Sequence, residues 1–139
     1  MTKYDEYTHL ARRSKEFLEI ALYSIERGFY DLAAFSLEQA LQLGLKACLL
    51  KLGVDYPRTY SIRKLLKLII EVEKNPNVKQ RISEILEKYA VEIGSLEDAY
   101  ITARYIVREY SREEVDRLLK VVKEVLNLVG ILGERSSQT

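Results

Sequence analysis

The stretch from Asp31 to Leu52 constrains the fold of this chain more than any other feature. It has a helical pattern with apolar side chains on nearly every face, and Gly53 follows it as a helix stop. Its polar residues, which we expect to face solvent, form one narrow edge consisting of Glu38, Gln39, Gln42 and Lys46. A helix of this kind lies at the centre of a bundle or is shared with a second subunit. We expect Asp31 to cap its N-terminus.

The remainder of the chain shows the same helical periodicity, and no segment alternates with the period of a strand. Apolar residues three and four apart predict a first helix over 8–27, a third helix capped by Ser61 and a fourth helix over 78–93. A last helix follows Ser111, which forms a predicted capping box with Glu114. We therefore predict an all-α fold, an up-and-down bundle of five to six helices.

Composition excludes several functional classes. The 139 residues form one predicted domain over residues 1–133, and we expect the polar residues 134–139 to be disordered. A net charge of +1 predicts no overall attraction to nucleic acid or acidic membranes, so any phosphate contact comes from a local patch. The only cysteine, Cys48, excludes an intramolecular disulfide and favours a core position. The only histidine, His9, is interpreted as a surface residue.

The sequence also predicts the cellular location of the protein and its need for a metal or cofactor. No apolar run approaches the roughly 18 residues of a membrane span, and the polar residues after Met1 do not form a signal peptide. We therefore expect a cytoplasmic protein that has no membrane partner. No cluster of metal-ligating residues and no phosphate-cradling glycine loop is present, so we expect no metal and no cofactor.

A short fifth helix is predicted after a break at Gly94-Ser95, with Ser95 as its cap. On this helix Tyr100 and Arg104 lie one turn apart, and Arg108 lies one turn further if the helix continues. An arginine between tyrosines suits a phosphate or nucleotide. The candidate ligand-binding residues are Arg104, Tyr100, Tyr105, Arg108 and Asp98. Spacing alone favours the alternative that Arg104 pairs with Glu97, with Asp98 or with an acidic residue of another helix.

Three segments carry a shared pattern, namely the stretches 31–47, 60–66 and 98–105, the last of which contains a Tyr-x-x-x-Arg-Tyr motif. Together they resemble the HEPN domain family in its small stand-alone form. The resemblance implies an up-and-down helical bundle that usually dimerises and works beside a minimal nucleotidyltransferase, often as a toxin and antitoxin pair. It also implies that active members are metal-independent ribonucleases. In these, an arginine is followed after about four to six residues by a histidine at a dimer cleft.

Arg104 matches the arginine of that motif, but the positions expected for the histidine hold Glu109, Tyr110 and Ser111. Tyr60 also stands where relatives commonly have histidine. We therefore predict a homodimeric binding module with a small nucleotidyltransferase as partner and a nucleotide- or RNA-phosphate-facing cleft at Arg104. The second and fifth helices are the expected dimer surface.

Two alternatives remain at this stage. One is a ribonuclease that uses Arg104 with Glu109, with Tyr110 or with a residue of the other subunit. The other is a nucleotide-binding protein in which Tyr100 or Tyr105 stacks on a base while Arg104 contacts the phosphates. The residue at the expected histidine position distinguishes these roles, because RNA cleavage by the family's route needs a histidine there and binding does not.

Overall fold

The computed structural model describes residues 2–105 and 108–132, and all of their side chains except those of residues 102–105. Within these ranges the chain is an up-and-down bundle of helices and contains no strand. The helices are α1 (Lys3–Glu26), α2 (Tyr30–Lys51), α3 (Ile62–Val72), α4 (Pro76–Lys88), α5 (Ala90–Tyr105) and α6 (Arg112–Leu128). The predicted all-α fold is therefore confirmed. The expectation for residues 134–139 lies outside the described residues.

Helix α1 begins five residues earlier than its apolar periodicity predicts, at Lys3 instead of Thr8. Thr2 and Asp5 form a capping box in which the Thr2 hydroxyl accepts from the Asp5 N–H at 3.1 Å and the Asp5 carboxylate accepts from the Thr2 N–H at 3.2 Å. The cap satisfies backbone donors at the helix start, so the helix extends beyond its buried stripe. At the other end, Gly28 has a φ of +76° and turns the chain into α2.

Asp31 does not cap α2, contrary to the prediction. The helix begins at Tyr30, and Phe29 occupies the N-cap position without a side-chain hydrogen bond to the helix. The Asp31 carboxylate instead accepts from the backbone N–H of Tyr110, 79 residues along the chain, at 3.0 Å. The carboxylate thus joins the start of α2 to the segment before α6, and a local capping signal carries no information about that distant donor.

The predicted helix break at Gly94-Ser95, with Ser95 as a cap, is also wrong. Helix α4 ends with Tyr89 as its C-cap, and α5 begins at Ala90 and continues through Gly94 and Ser95. A Cβ atom at Gly94 would lie 3.2 Å from Nη2 of Arg63, which donates to the carbonyl of Ala90 at 3.0 Å. The glycine therefore makes room for an arginine from α3 and does not form a turn.

Helix α2 is the centre of the bundle and contacts α1, α3, α5 and α6. It is buried along almost its whole length, so its apolar faces are covered within one chain. This favours the central position over the expected sharing of α2 with a second subunit. Cys48 lies in the core, and burial raises the pKa of its thiol to about 12. None of the described helices is long and apolar enough to cross a membrane.

Candidate functional site

Among the candidate ligand-binding residues of α5, Tyr100 is held in an aromatic stack one turn before Arg104. The ring of Tyr100 stacks on that of Tyr60, with centroids 4.3 Å apart and an interplanar angle of 19°. Asp98 is exposed on the same helix. Arg104 and Tyr105 form its last turn, but their side chains lie outside the described residues. The structure therefore places the backbone of Arg104 one turn from an ordered aromatic pair.

Arg108 does not continue the line of Tyr100 and Arg104, because α5 ends at Tyr105 and residues 108–111 are not helical. Its guanidinium donates to the Glu114 carboxylate at 2.7 Å and lies 3.9 Å from the centroid of the Tyr110 ring. A short charge-assisted hydrogen bond and a close cation–π contact hold the side chain in place. Arg108 is thus engaged within the segment that leads into α6.

The three positions where the resemblance expects a histidine have different environments. Tyr110 is 6% exposed and packs in the core, and its N–H is bound by Asp31. The Ser111 hydroxyl accepts from the Glu114 N–H at 3.0 Å, which confirms the predicted capping box. Glu109 is exposed. Two of the three positions are therefore used to build the α5–α6 connection.

A groove of about 550 Å³ separates the α1–α2 turn from this connection. Its lining consists of Gly28, Phe29, Tyr30, Asp31, Leu32, Glu109 and Tyr110. Phe29 and Leu32 are each 49% exposed, and the Arg27 guanidinium at the rim lies 6.0 Å from the Phe29 ring centroid. Exposed aromatic and aliphatic side chains beside an arginine are typical of protein-binding surfaces.

Sequence reasoning missed the most unusual polar group of the chain. The predicted solvated edge of α2 is buried, with Glu38 at 0%, Gln42 at 5% and Lys46 at 9% exposure. The Gln42 amide donates to Glu38 at 2.6 Å, and the Lys46 ammonium donates to the Gln42 carbonyl oxygen at 2.9 Å. We call these three residues the polar ladder. Its signal in the sequence is an acid, an amide and a cation that follow one another at intervals of four residues on an otherwise apolar helix.

Burial dominates the electrostatics of the polar ladder. It raises the pKa of Glu38 to about 7, although hydrogen bonds from Gln39 and Gln42 and the charge of Lys46 act in the opposite direction. The negative charge of Glu97 adds to the increase. Burial also lowers the pKa of Lys46, against the influence of Tyr60 and Glu38. Burial therefore disfavours both the ionised carboxylate of Glu38 and the protonated ammonium of Lys46.

Aromatic rings from the α2–α3 loop (residues 52–61) surround the end of the polar ladder. The Lys46 ammonium lies 5.3 Å from the centroid of the Tyr56 ring and 5.4 Å from that of Tyr60. Because Tyr60 also stacks on Tyr100, the ladder is connected through the loop to α5. The Tyr60–Tyr100 stack is thus shared by the polar ladder and the candidate phosphate-facing helix.

Glu97 joins α3 to α5. Its carboxylate accepts from the Ser61 hydroxyl at 2.8 Å, from the Arg63 N–H at 3.0 Å and from the Arg63 guanidinium at 2.7 Å. Both carboxylate oxygens are used in these contacts with α3. The described contacts of Glu97 therefore go to a neighbouring helix, whereas spacing along the sequence pointed to Arg104.

Other candidates for chemistry have ordinary surroundings. His9 is half-buried on α1, and its Nδ1 atom lies 3.1 Å from the Arg12 guanidinium. Among residues 2–105 and 108–132, excluding the undescribed side chains, no three histidine, cysteine, aspartate or glutamate residues are grouped so as to hold a metal ion.

Comparison with known proteins relates this arrangement to a family. The family model described as "HEPN domain" matches residues 7–132, which span all six helices. A protein of Methanocaldococcus jannaschii whose name begins "Putative toxin" is 23% identical over 128 residues. That match covers 85% of this chain and 82% of the relative.

Proposed function

This chain belongs to the HEPN domain family, and from that membership we propose that it is the HEPN component of a toxin–antitoxin-type pair. In this proposal it acts by binding a partner protein and a nucleotide or RNA phosphate, and it does not cut RNA by the arginine–histidine route of the family. The toxin name of the M. jannaschii relative supports the first part. The segment after α5 supports the second.

The observation that carries the proposal is the use of residues 108–111 to build the α5–α6 connection. A proton-transfer group needs a side chain that changes its charge near neutral pH within reach of the reacting atoms, as histidine does. Tyr110 is instead buried beneath Arg108, and Ser111 caps α6. Binding requires neither proton transfer nor a histidine, so this arrangement favours a binding role.

For the phosphate-facing surface we propose Arg104 as the principal cation, with Tyr100 and Tyr105 beside it. Asp98 would lie at the edge of this surface, where it is exposed. Support comes from the Tyr60–Tyr100 stack, which orders the helix face one turn before Arg104. Arg108 would contribute only if a ligand replaced Glu114 as its partner, because their ion pair is 2.7 Å long.

A small nucleotidyltransferase is the proposed protein partner, and we also propose that the chain forms a homodimer. The groove around Phe29 and Leu32 is the favoured docking surface, because these side chains are half-exposed whereas the rest of α2 is almost entirely covered within the chain. Co-purification from the native organism followed by mass spectrometry tests the partner. Recovery of the chain without any nucleotidyltransferase would count against this part of the proposal.

The binding role is tested with wild type, Arg104→Ala and the control Arg81→Ala, which removes an exposed arginine of α4. Fluorescence anisotropy with labelled single-stranded RNA and calorimetry with ATP and GTP measure binding, and gel electrophoresis measures cleavage. We expect at least a tenfold weaker binding for Arg104→Ala, no change for Arg81→Ala, and no cleavage above background by any of the three.

Two other outcomes distinguish the alternatives. Cleavage by wild type that is lost in both Arg104→Ala and Glu109→Gln would establish the ribonuclease with an atypical site. Heat on titration with ATP or GTP, without any RNA binding, would identify a nucleotide-binding protein. Absence of both binding and cleavage would refute the phosphate-facing surface at Arg104.

A further inference from the structure

The polar ladder of Glu38, Gln42 and Lys46 has no part in the function proposed above. The burial of its charged groups is nevertheless unfavourable and calls for an explanation. Charged groups removed from water destabilise a fold unless they are paired and hydrogen-bonded. In this ladder every link is made, from the Gln39 and Gln42 amides to Glu38 and from Lys46 to Gln42. The ladder is thus connected by hydrogen bonds from Gln39 to Lys46.

The hydrogen bonds are those of an ionised carboxylate. One carboxylate oxygen of Glu38 accepts from the Gln39 amide at 2.7 Å, and the other accepts from the Gln42 amide at 2.6 Å. A carboxylate accepts only, and it therefore fits two facing N–H donors. The Gln42 amide, oriented with its nitrogen toward Glu38, presents its oxygen to the Lys46 ammonium.

A proton on Glu38 would disrupt this order. The new O–H group would face an N–H donor of Gln39 or Gln42, so one of the two amides would have to rotate. Rotation of Gln42 would turn its N–H groups toward the ammonium of Lys46. If Gln39 rotated instead, the protonated Glu38 would still leave Lys46 buried without a compensating negative charge. Either change weakens the interactions that keep the Lys46 ammonium in its place.

Lys46 in turn holds the α2–α3 loop. Its ammonium lies between the rings of Tyr56 and Tyr60, both of which belong to that loop. Tyr60 is 56% exposed and is retained by Lys46 and by its stack on Tyr100. The loop is also attached by the ion pair of Lys3 with Asp55 at 3.0 Å, and Tyr56 packs against the core. The bonds from Ser61 and Arg63 to Glu97 fix the start of α3 but not Tyr60.

We propose that the polar ladder is a proton-operated latch for the α2–α3 loop, closed when Glu38 is ionised and released when Glu38 takes up a proton. Two charged groups act on Glu38, namely Lys46 from its own helix and Glu97 from α5, whose charge is paired with Arg63. Tyr60 acts on Lys46 from the loop. The near-neutral pKa that burial gives Glu38 places the change within a physiological range.

The latch is independent of RNA and partner binding. Only its consequence for the ligand surface, a change in the order of Tyr100 one turn before Arg104, rests on the proposed function. Its test therefore uses the protein alone, so that evidence against the latch can be distinguished from evidence against the phosphate-facing surface.

The experiment is a pH titration by NMR of the protein with ¹³C-labelled lysine. Protons on the carbon next to the Lys46 ammonium lie near two tyrosine rings, so we expect ring-current displacement of their resonance above pH 8. On acidification to pH 5.5 the resonance should lose most of that displacement in one step with a midpoint near the pKa of Glu38. Lys51, whose ammonium lies 5.6 Å from the Tyr7 ring on exposed surface, is the internal reference and should not show the step.

Two variants assign the step. Glu38→Gln should abolish it and leave the Lys46 resonance near the acid value at every pH. Glu84→Gln should retain it, because Glu84 also accepts from a glutamine four residues away but is exposed. A step that survives in Glu38→Gln, or a wild-type Lys46 resonance that does not move between pH 5.5 and 8.5, would overturn the latch. The wild-type titration decides the matter even if Glu38→Gln does not fold.

Discussion

Replacement of Glu38 by glutamine isolates the contribution of a buried carboxyl to the pH dependence of stability. Glutamine keeps the shape of the side chain but cannot ionise. In the folded protein the pKa of Glu38 is raised from 4.5 to about 7 because the carboxyl is fully buried. The folded state therefore binds a proton more tightly than the unfolded state. Stability from this source is fully present below pH 4.5 and is lost as the pH rises through 7.

The magnitude follows from the displacement of the pKa. At about 1.4 kcal/mol for each pKa unit, the change from 4.5 to about 7 corresponds to about 3 kcal/mol of unfolding free energy. The stability of Glu38→Gln relative to wild type should accordingly rise by about 3 kcal/mol between pH 4.5 and pH 8. At pH 4.5 the variant should differ from wild type by no more than about 1 kcal/mol, because Glu38 is then protonated and a neutral side chain faces the two amides in both proteins.

Urea denaturation followed by circular dichroism at several pH values between 4.5 and 8 measures the difference. Other carboxylates titrate in the same range, so the useful quantity is variant minus wild type at each pH. Glu84→Gln serves as the matched control and should show no trend above about 0.5 kcal/mol. A difference between Glu38→Gln and wild type that stays constant across this range would refute the reasoning, since it would mean that folding does not change the affinity of Glu38 for protons.

Two further predictions concern packing and connection. Gly44→Ala should destabilise the protein by about 1–3 kcal/mol, because the added Cβ would collide with Leu126 and lie 3.0 Å from the Ser14 hydroxyl; thermal unfolding measures the loss, and an unchanged melting temperature would contradict it. Asp31→Ala should cost about 1–3 kcal/mol by leaving the Tyr110 N–H without its acceptor. Amide hydrogen exchange at Tyr110 should accelerate at the same time, and unchanged protection there would show that this hydrogen bond is unimportant.

Local signals in the sequence were sufficient for most helix boundaries. Ser61 caps α3, and Ser111 forms its box with Glu114, because a cap depends on residues two or three positions apart. Periodic apolar residues likewise indicated an all-α bundle, with the second helix either at its centre or shared with a second subunit. Residue types and helical spacing singled out Arg104 between tyrosines, and the resemblance to a family related it to a known motif. The match over residues 7–132 confirms that family.

The remaining features depended on residues far apart in the sequence. Asp31 binds the distant N–H of Tyr110 instead of its own helix end, and Gly94 accommodates Arg63 from α3 instead of ending a helix. In both cases a local signal was present but another element required the same residue. Helical spacing cannot reveal such competition, because it records only neighbours within about one turn.

The polar residues of α2 show this division most clearly. The sequence determined that Glu38, Gln42 and Lys46 lie on one face of a helix, because four-residue spacing places them one turn apart. Only the tertiary structure decided that this face is buried rather than solvated. Burial depends on which elements pack against the helix, and burial also sets the protonation of Glu38. The same spacing therefore describes an ordinary solvated edge or a buried ladder, and the packing of other elements against α2 selects the second.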